Sequence, residues 1–210
     1  MRKSTVGKHG IPVLAYLTSE PLSLPFSLRI QHNEARKQVT LMLRTPAAFL
    51  HGANDELAFV AQCDADNVLP GTAMDAATVH VPPARRAEIE RYPTSSRITT
   101  LTLSLKHPCP LWCPRLEALV PTPSPSAVES FNELVQFAKA TCVHIVFDSG
   151  WLSPEQQAPL QRLARGKEAL SGFPVHDYYA RHHRRADWTI FGPLAETPHK
   201  RGRRGKSLHD

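Results

Sequence analysis

Cysteine is scarce in this chain. The four cysteines among 210 residues, at positions 63, 109, 113 and 142, are too few for a disulfide scaffold at this length and point to a reducing compartment. Long apolar runs are also missing: none reaches the roughly 18 residues a membrane-spanning helix needs. No Gly-x-Ser-x-Gly, Walker loop or dinucleotide fingerprint occurs, which counts against the commonest enzyme classes but not against sites that need no motif. Fixed-period repeats are absent too. Acids are lacking before Glu20, where Arg2, Lys3 and Lys8 precede the apolar stretch Ile11 to Leu17. That stretch is short, carries Pro12 and has no small-x-small cleavage site, so secretion is disfavoured. The expected location is nuclear or cytoplasmic, with mitochondrial import the less favoured alternative.

Proline, by contrast, is abundant, with 19 residues that concentrate near 108–125 and in turns. Such spacing favours short connections over long helices. Hydrophobic residues make up 41% of the chain, enough for a sizeable core, and the formal charge is +6. Much of that charge sits in Lys200, Arg201, Arg203, Arg204 and Lys206.

Periodicity divides the chain. Residues 1–20 carry no regular signal and read as loosely structured. Residues 21–106 form a strand-rich half. Leu22, Leu24, Phe26, Leu28 and Ile30 alternate with Ser23, Pro25, Ser27 and Arg29, and Val39, Leu41 and Leu43 alternate with Thr40, Met42 and Arg44. Each is a strand with one buried and one wet face, and the short polar link His32–Arg36 makes the two an antiparallel hairpin. Residues 45–95 are less legible, with a candidate strand at Leu57–Ala61 and a short helix at Pro83–Arg91. Leu101, Leu103 and Leu105 give a third one-sided strand. Residues 107–125 read as a proline-rich linker.

An α/β half follows over residues 126–192. Ser126 and Glu129 suggest a capping box for a helix burying Phe131, Leu134, Val135 and Ala138, with Val128 on the same face. Cys142–Phe147 is apolar on both faces except for His144, as in a central, doubly covered strand. A second helix starts near Ala158, after Pro154 and Pro159, and a third runs from about Pro174 to Arg185. Trp188–Phe191 reads as a last strand, and residues 193–210 as a disordered basic tail. The fold class is α+β: an antiparallel strand-rich N-terminal half and a helix-strand-helix-helix-strand C-terminal half.

Phe131 to Asp148, Trp151-Leu152, Gly166-Lys167 and Ala186 to Phe191 together resemble a group of uncharacterised proteins from filamentous fungi. The resemblance implies a fungal source and a shared architecture, and carries no activity with it. Cys109 and Cys113 fall outside its pattern.

Several constellations could carry chemistry. Pro108-Cys109-Pro110-Leu111-Trp112-Cys113 with His32-Asn33-Glu34 has the residue types of a zinc-dependent deaminase, and His107 with the two cysteines those of a structural zinc site. Against both stands a plainer reading, two reduced thiols in a linker. Asp148 ends a strand as the nucleophile of haloacid dehalogenase-like phosphatases does, but position 150 is Gly where a second acid is needed; a strand-ending turn explains it. His176, Asp177, His182 and His183 share one predicted helix, either as a metal pair or as a polar face. Lys200, Arg201, Arg203, Arg204 and Lys206 suit an acidic import-receptor groove or phosphates, with Arg181, Arg184 and Arg185 extending the field. A solvated tail is the plain alternative. The expected function is therefore a non-enzymatic binding or scaffold protein, nuclear, contacting acidic partners or nucleic acid, without cofactor, metal or membrane. The alternative is an enzyme with no visible motif, such as a zinc-dependent deaminase-like hydrolase.

Overall fold

A computed structural model of the chain describes residues 10–18, 21–54, 56–70, 72–76, 81–91, 97–166 and 168–191. It is α+β. Its strands are β1 (Ile11–Tyr16), β2 (Phe26–Asn33), β3 (Gln38–Pro46), β4 (Ala58–Asp64), β5 (Ala73–Ala76), β6 (Ile98–Ser104), β7 (Leu111–Pro114), β8 (Cys142–Asp148) and β9 (His183–Ala186). They form one sheet in the order β5-β6-β8-β1-β2-β3-β4-β7-β9, and every pairing between them is antiparallel.

The alternation in β2 and β3 sets their register. Leu28 lies opposite Leu43 and Ile30 opposite Leu41, so both put their leucine and isoleucine side chains on one face. That face, continued by Phe59, Leu101, Leu103, Leu111, Val143, Ile145 and Phe147, holds the main core. Two helices contribute to it: α2 (Pro125–Lys139) through Phe131, Leu134, Val135 and Ala138, and α3 (Pro154–Arg165) through Leu160 and Leu163. The opposite face carries two smaller clusters. Leu14, Tyr16 and Val146 pack with Ile89 of α1 (Pro83–Ile89). Met42, Val60, Trp112 and Val175 pack with Tyr179 of α4 (His176–Tyr179).

The hairpin of β2 and β3, the strand near 98–105 and the central Cys142–Phe147 strand lie where the sequence puts them. Several boundaries are corrected. Residues 11–16, expected to be loosely structured, form a strand inside the sheet. They escape a search for alternation because Val13, Leu14, Ala15 and Tyr16 are all buried. Residues 107–125 are not simply a linker. Pro110 accepts a hydrogen bond from Gln62 N at 2.9 Å, and Leu111–Pro114 then joins the sheet between β4 and β9. β8 lies between β6 and β1, so strands from both sides of residues 107–125 share one sheet.

Helix starts shift for local reasons. Ser124, not Ser126, caps α2 by accepting from Ala127 N at 3.2 Å, and Pro125 stands where its missing N–H has no role. Helix α3 begins at Pro154 and passes through Pro159, which is buried beside Leu160 and Leu163. Gln156 Oε1 accepts from Ser153 N at 3.1 Å to fix that start. The helix expected over 174–185 shrinks to α4, its remainder becomes β9, and Trp188–Phe191 is a 3-10 turn instead of a strand. The basic tail, 193–210, lies outside the described residues.

Ile145 is fully buried between β6 and β1. Its replacement by Ala should cost on the order of 2–5 kcal/mol in denaturant unfolding. A loss within measurement error would place the core elsewhere.

Candidate functional site

The second face of the sheet is where polar chemistry gathers. Trp112, on β7, is almost wholly buried beneath α4. Its ring stacks on Tyr179 at 5.5 Å and meets His176 edge-on at 5.7 Å. A buried tryptophan N–H needs an acceptor, and Gln62 Oε1 supplies it at 2.8 Å. Gln62 Nε2 in turn donates to both oxygens of Asp64, at 3.0 and 2.8 Å. Thr40 Oγ1 donates to Asp64 Oδ1 at 2.5 Å and accepts from Phe173 N at 2.8 Å. This relay ties the segment before α4 to β3 and β4. It also explains Gly172, where a Cβ would lie 2.7 Å from Asp64 Cγ. An open cleft of about 460 Å³ runs past Asp64, Asp66, Phe173 and Arg185. Its carboxylate at Asp64 already holds partners within the fold, so the relay is a structural pin.

After α4 the chain turns cationic. Arg181, Arg184 and Arg185 are exposed, and among the described residues none of them forms an ion pair. Elsewhere Lys37 meets Glu168 at 3.1 Å, Arg85 meets Glu88 at 2.6 Å and Arg162 meets Glu34 at 3.5 Å. Arg115 donates to Ala180 O at 2.8 Å and to His183 O at 3.3 Å, shaping the link from α4 to β9. Tyr178, just before Arg181 in the chain, is 73% exposed, and Arg184 and Arg185 lie opposite Cys113 and Trp112, on opposite faces of the sheet. Two further cations, Arg29 on β2 and Arg44 on β3, reach toward Tyr179. Burial lowers the pKa of Arg44 and, as the largest effect, raises that of the Tyr179 phenol against the pull of Arg29 and Arg44.

The sequence-predicted residues scatter. Lys200, Arg201, Arg203, Arg204 and Lys206 lie outside the described residues. Cys109 and Cys113 are buried in the main core. A hydrogen bond with Cys63 and then burial hold the Cys109 thiol well above its ordinary pKa, and burial pushes Cys113 up to about 12. Protonated thiols are poor zinc ligands. His32 lies opposite Val39 in β2, Glu34 faces Arg162, and His107 is exposed, its main chain bonded to Asn67. The deaminase arrangement is therefore not assembled: the cysteines enter a strand where that mechanism needs a helix start. Among the described residues no group of three or more His, Cys, Asp or Glu side chains is placed to hold a metal ion.

Asp148 is fully buried, and its oxygens accept from Arg91 N at 2.9 Å and Gly150 N at 2.8 Å. It closes a turn, as the plain reading has it. The four residues expected on one helix separate: His176 and Asp177 lie on α4, His182 follows it exposed, and His183 is on β9 with Nε2 3.1 Å from Ala58 O. Burial lowers the His183 pKa. Sequence reasoning missed Arg29 and Arg44 as site residues. Their signal was their place on the wet side of two alternating strands.

Comparison with models of protein families, with curated proteins and with solved structures finds no match to this chain.

The burial of Cys63, Cys109 and Cys113 and the exposure of Cys142 give a direct test. An aromatic disulfide reagent should titrate one thiol in the native protein and four after denaturation. Rapid native labelling of Cys109 or Cys113 would contradict the core described above.

Proposed function

We propose that this chain is a non-enzymatic binding protein of the nucleus whose partner is a nucleic acid. The observation that carries the reading is that Arg181, Arg184, Arg185 and the ring of Tyr178 are all exposed on one short stretch of chain, and that among the described residues none of the three arginines forms an ion pair. Cations without carboxylate partners keep their full charge for phosphates, and each contact releases a counterion. The exposed ring of Tyr178, close to them in sequence, offers a base a stacking surface, which an acidic protein would not use. In sequence the same edge leads toward Lys200, Arg201, Arg203, Arg204 and Lys206. That run adds phosphate contacts and suits an acidic import-receptor groove.

Binding of a labelled single-stranded 20-mer should weaken steeply with salt. Replacing Arg184 and Arg185 by Gln should lower the slope of log K against log salt by about 1.4, at roughly 0.7 per lost single-strand phosphate contact. Tyr178→Ala should weaken binding at every salt concentration by roughly tenfold. Deleting residues 199–206 should reduce the slope further and abolish nuclear accumulation of a large fluorescent fusion. No binding, or binding insensitive to salt, would overturn the nucleic-acid reading. Equal competition by polyglutamate would transfer the surface to an acidic protein partner.

A further inference from the structure

Resting on the nucleic-acid reading above, we propose that Arg29, Arg44 and Tyr179 form a pocket for the terminal phosphomonoester of a strand. The register fixes the two guanidiniums. Arg29 lies opposite Met42 and Ser27 opposite Arg44, so the arginines are diagonal neighbours on one face, beside α4. Both are half-buried, and among the described residues neither meets a carboxylate. Among the described residues the Arg44 side chain makes one hydrogen bond, a long one of 3.4 Å to Glu56 O. The Arg29 guanidinium lies by the Tyr179 hydroxyl and favours its ionised form.

Diagonal positions bring two like charges onto one part of this face, partly out of water, where a bridging anion is favoured. One further polar group nearby lacks a partner among the described residues: Ser27 Oγ, opposite Arg44, is buried and unbonded. The His183 ring meets Tyr179 edge-on at 5.6 Å. The site thus offers donors in excess, and among the described residues neither arginine is ion-paired.

The charge count selects the ligand. A terminal phosphate carries close to two negative charges at neutral pH and three acceptor oxygens, which matches two guanidiniums and a hydroxyl. An internal phosphodiester or a carboxylate brings one charge. Arg185, opposite Trp112 in β7, shares this face. A strand lying along β9 and Tyr178 would therefore reach the pocket with its end.

Binding of the full chain to a 12-mer should be measured with a 5′-phosphate, a 3′-phosphate and both ends as hydroxyls. One phosphorylated end should bind about tenfold more tightly than the hydroxyl strand. Arg29→Gln and Arg44→Gln should each remove that preference. Arg44→Lys, which keeps the charge and hence the fold's electrostatics, should retain part of it. Inorganic phosphate in the millimolar range should erase the preference in the unaltered protein. Equal affinity for all three strands, or a preference that survives both Gln variants, would overturn the pocket and leave the nucleic-acid reading standing. Failure of every strand to bind would overturn both. If inorganic phosphate bound as tightly as the phosphorylated strand, the pocket would belong to a free anion.

Discussion

Six residues of β1 must serve two neighbours, and most of the architecture follows from how they divide the task. Ile11–Val13 pair with β2, while Leu14–Tyr16 pair with β8 on the other side. Among the described residues only Tyr16 is paired on both sides, with His144 and with Pro21, so two sheets of ordinary size are joined by a handover along one strand. This accommodates Pro12, which lacks an N–H and would break a ladder flanked on both sides. It also demands Gly10. That residue has φ +96, and a Cβ there would lie 2.4 Å from the carbonyl oxygen of Leu28, so the strand can begin where it does only with glycine.

The second face inherits its shape from this arrangement. On the β8 side α1 covers Leu14, Tyr16 and Val146; on the far side α4 covers Met42, Val60 and Trp112. Two short helices cannot cover a sheet this broad. Between and beyond them the polar members of the alternating strands remain accessible, and Arg29 and Arg44 belong to that set. The relay through Trp112, Gln62, Asp64 and Thr40 holds the α4 segment in register with the strands beneath it. Each of its buried groups has a partner, which is the condition under which a buried polar network adds rigidity instead of instability. The charged side chains around α4 therefore sit on a braced platform.

How much of this was readable beforehand depended on burial. One-sided strands declare themselves, because water on one face forces alternation; β2, β3 and β6 were legible for that reason. β8 was legible because its continuous apolar run fell between clear helix signals. β1 has a similar run, but Pro12 and a basic leader gave it the look of an unstructured end. β7 was hidden by its flanking prolines, whose lost donors matter little when Pro110 contributes only its carbonyl. The cysteines drew attention by spacing alone, and spacing carries no information about burial: Cys109 and Cys113 proved to be core residues. The Arg29 and Arg44 pair could not be read because its partners, Tyr179 and His183, are more than 130 positions away along the chain and arrive through the α4 crossing.

The position of β8 has a consequence for the growing chain. Residues 142–148 fill the gap between β6 and β1, yet both of those strands are synthesised well before it. Until β8 emerges from the ribosome, β6 and the second half of β1 each present a row of unsatisfied backbone donors and acceptors along an apolar edge. Non-local closure of this kind is slow. The nascent protein thus passes through a stage at which it is most open to pairing with the wrong strand, and a ribosome stalled before codon 142 would hold it there.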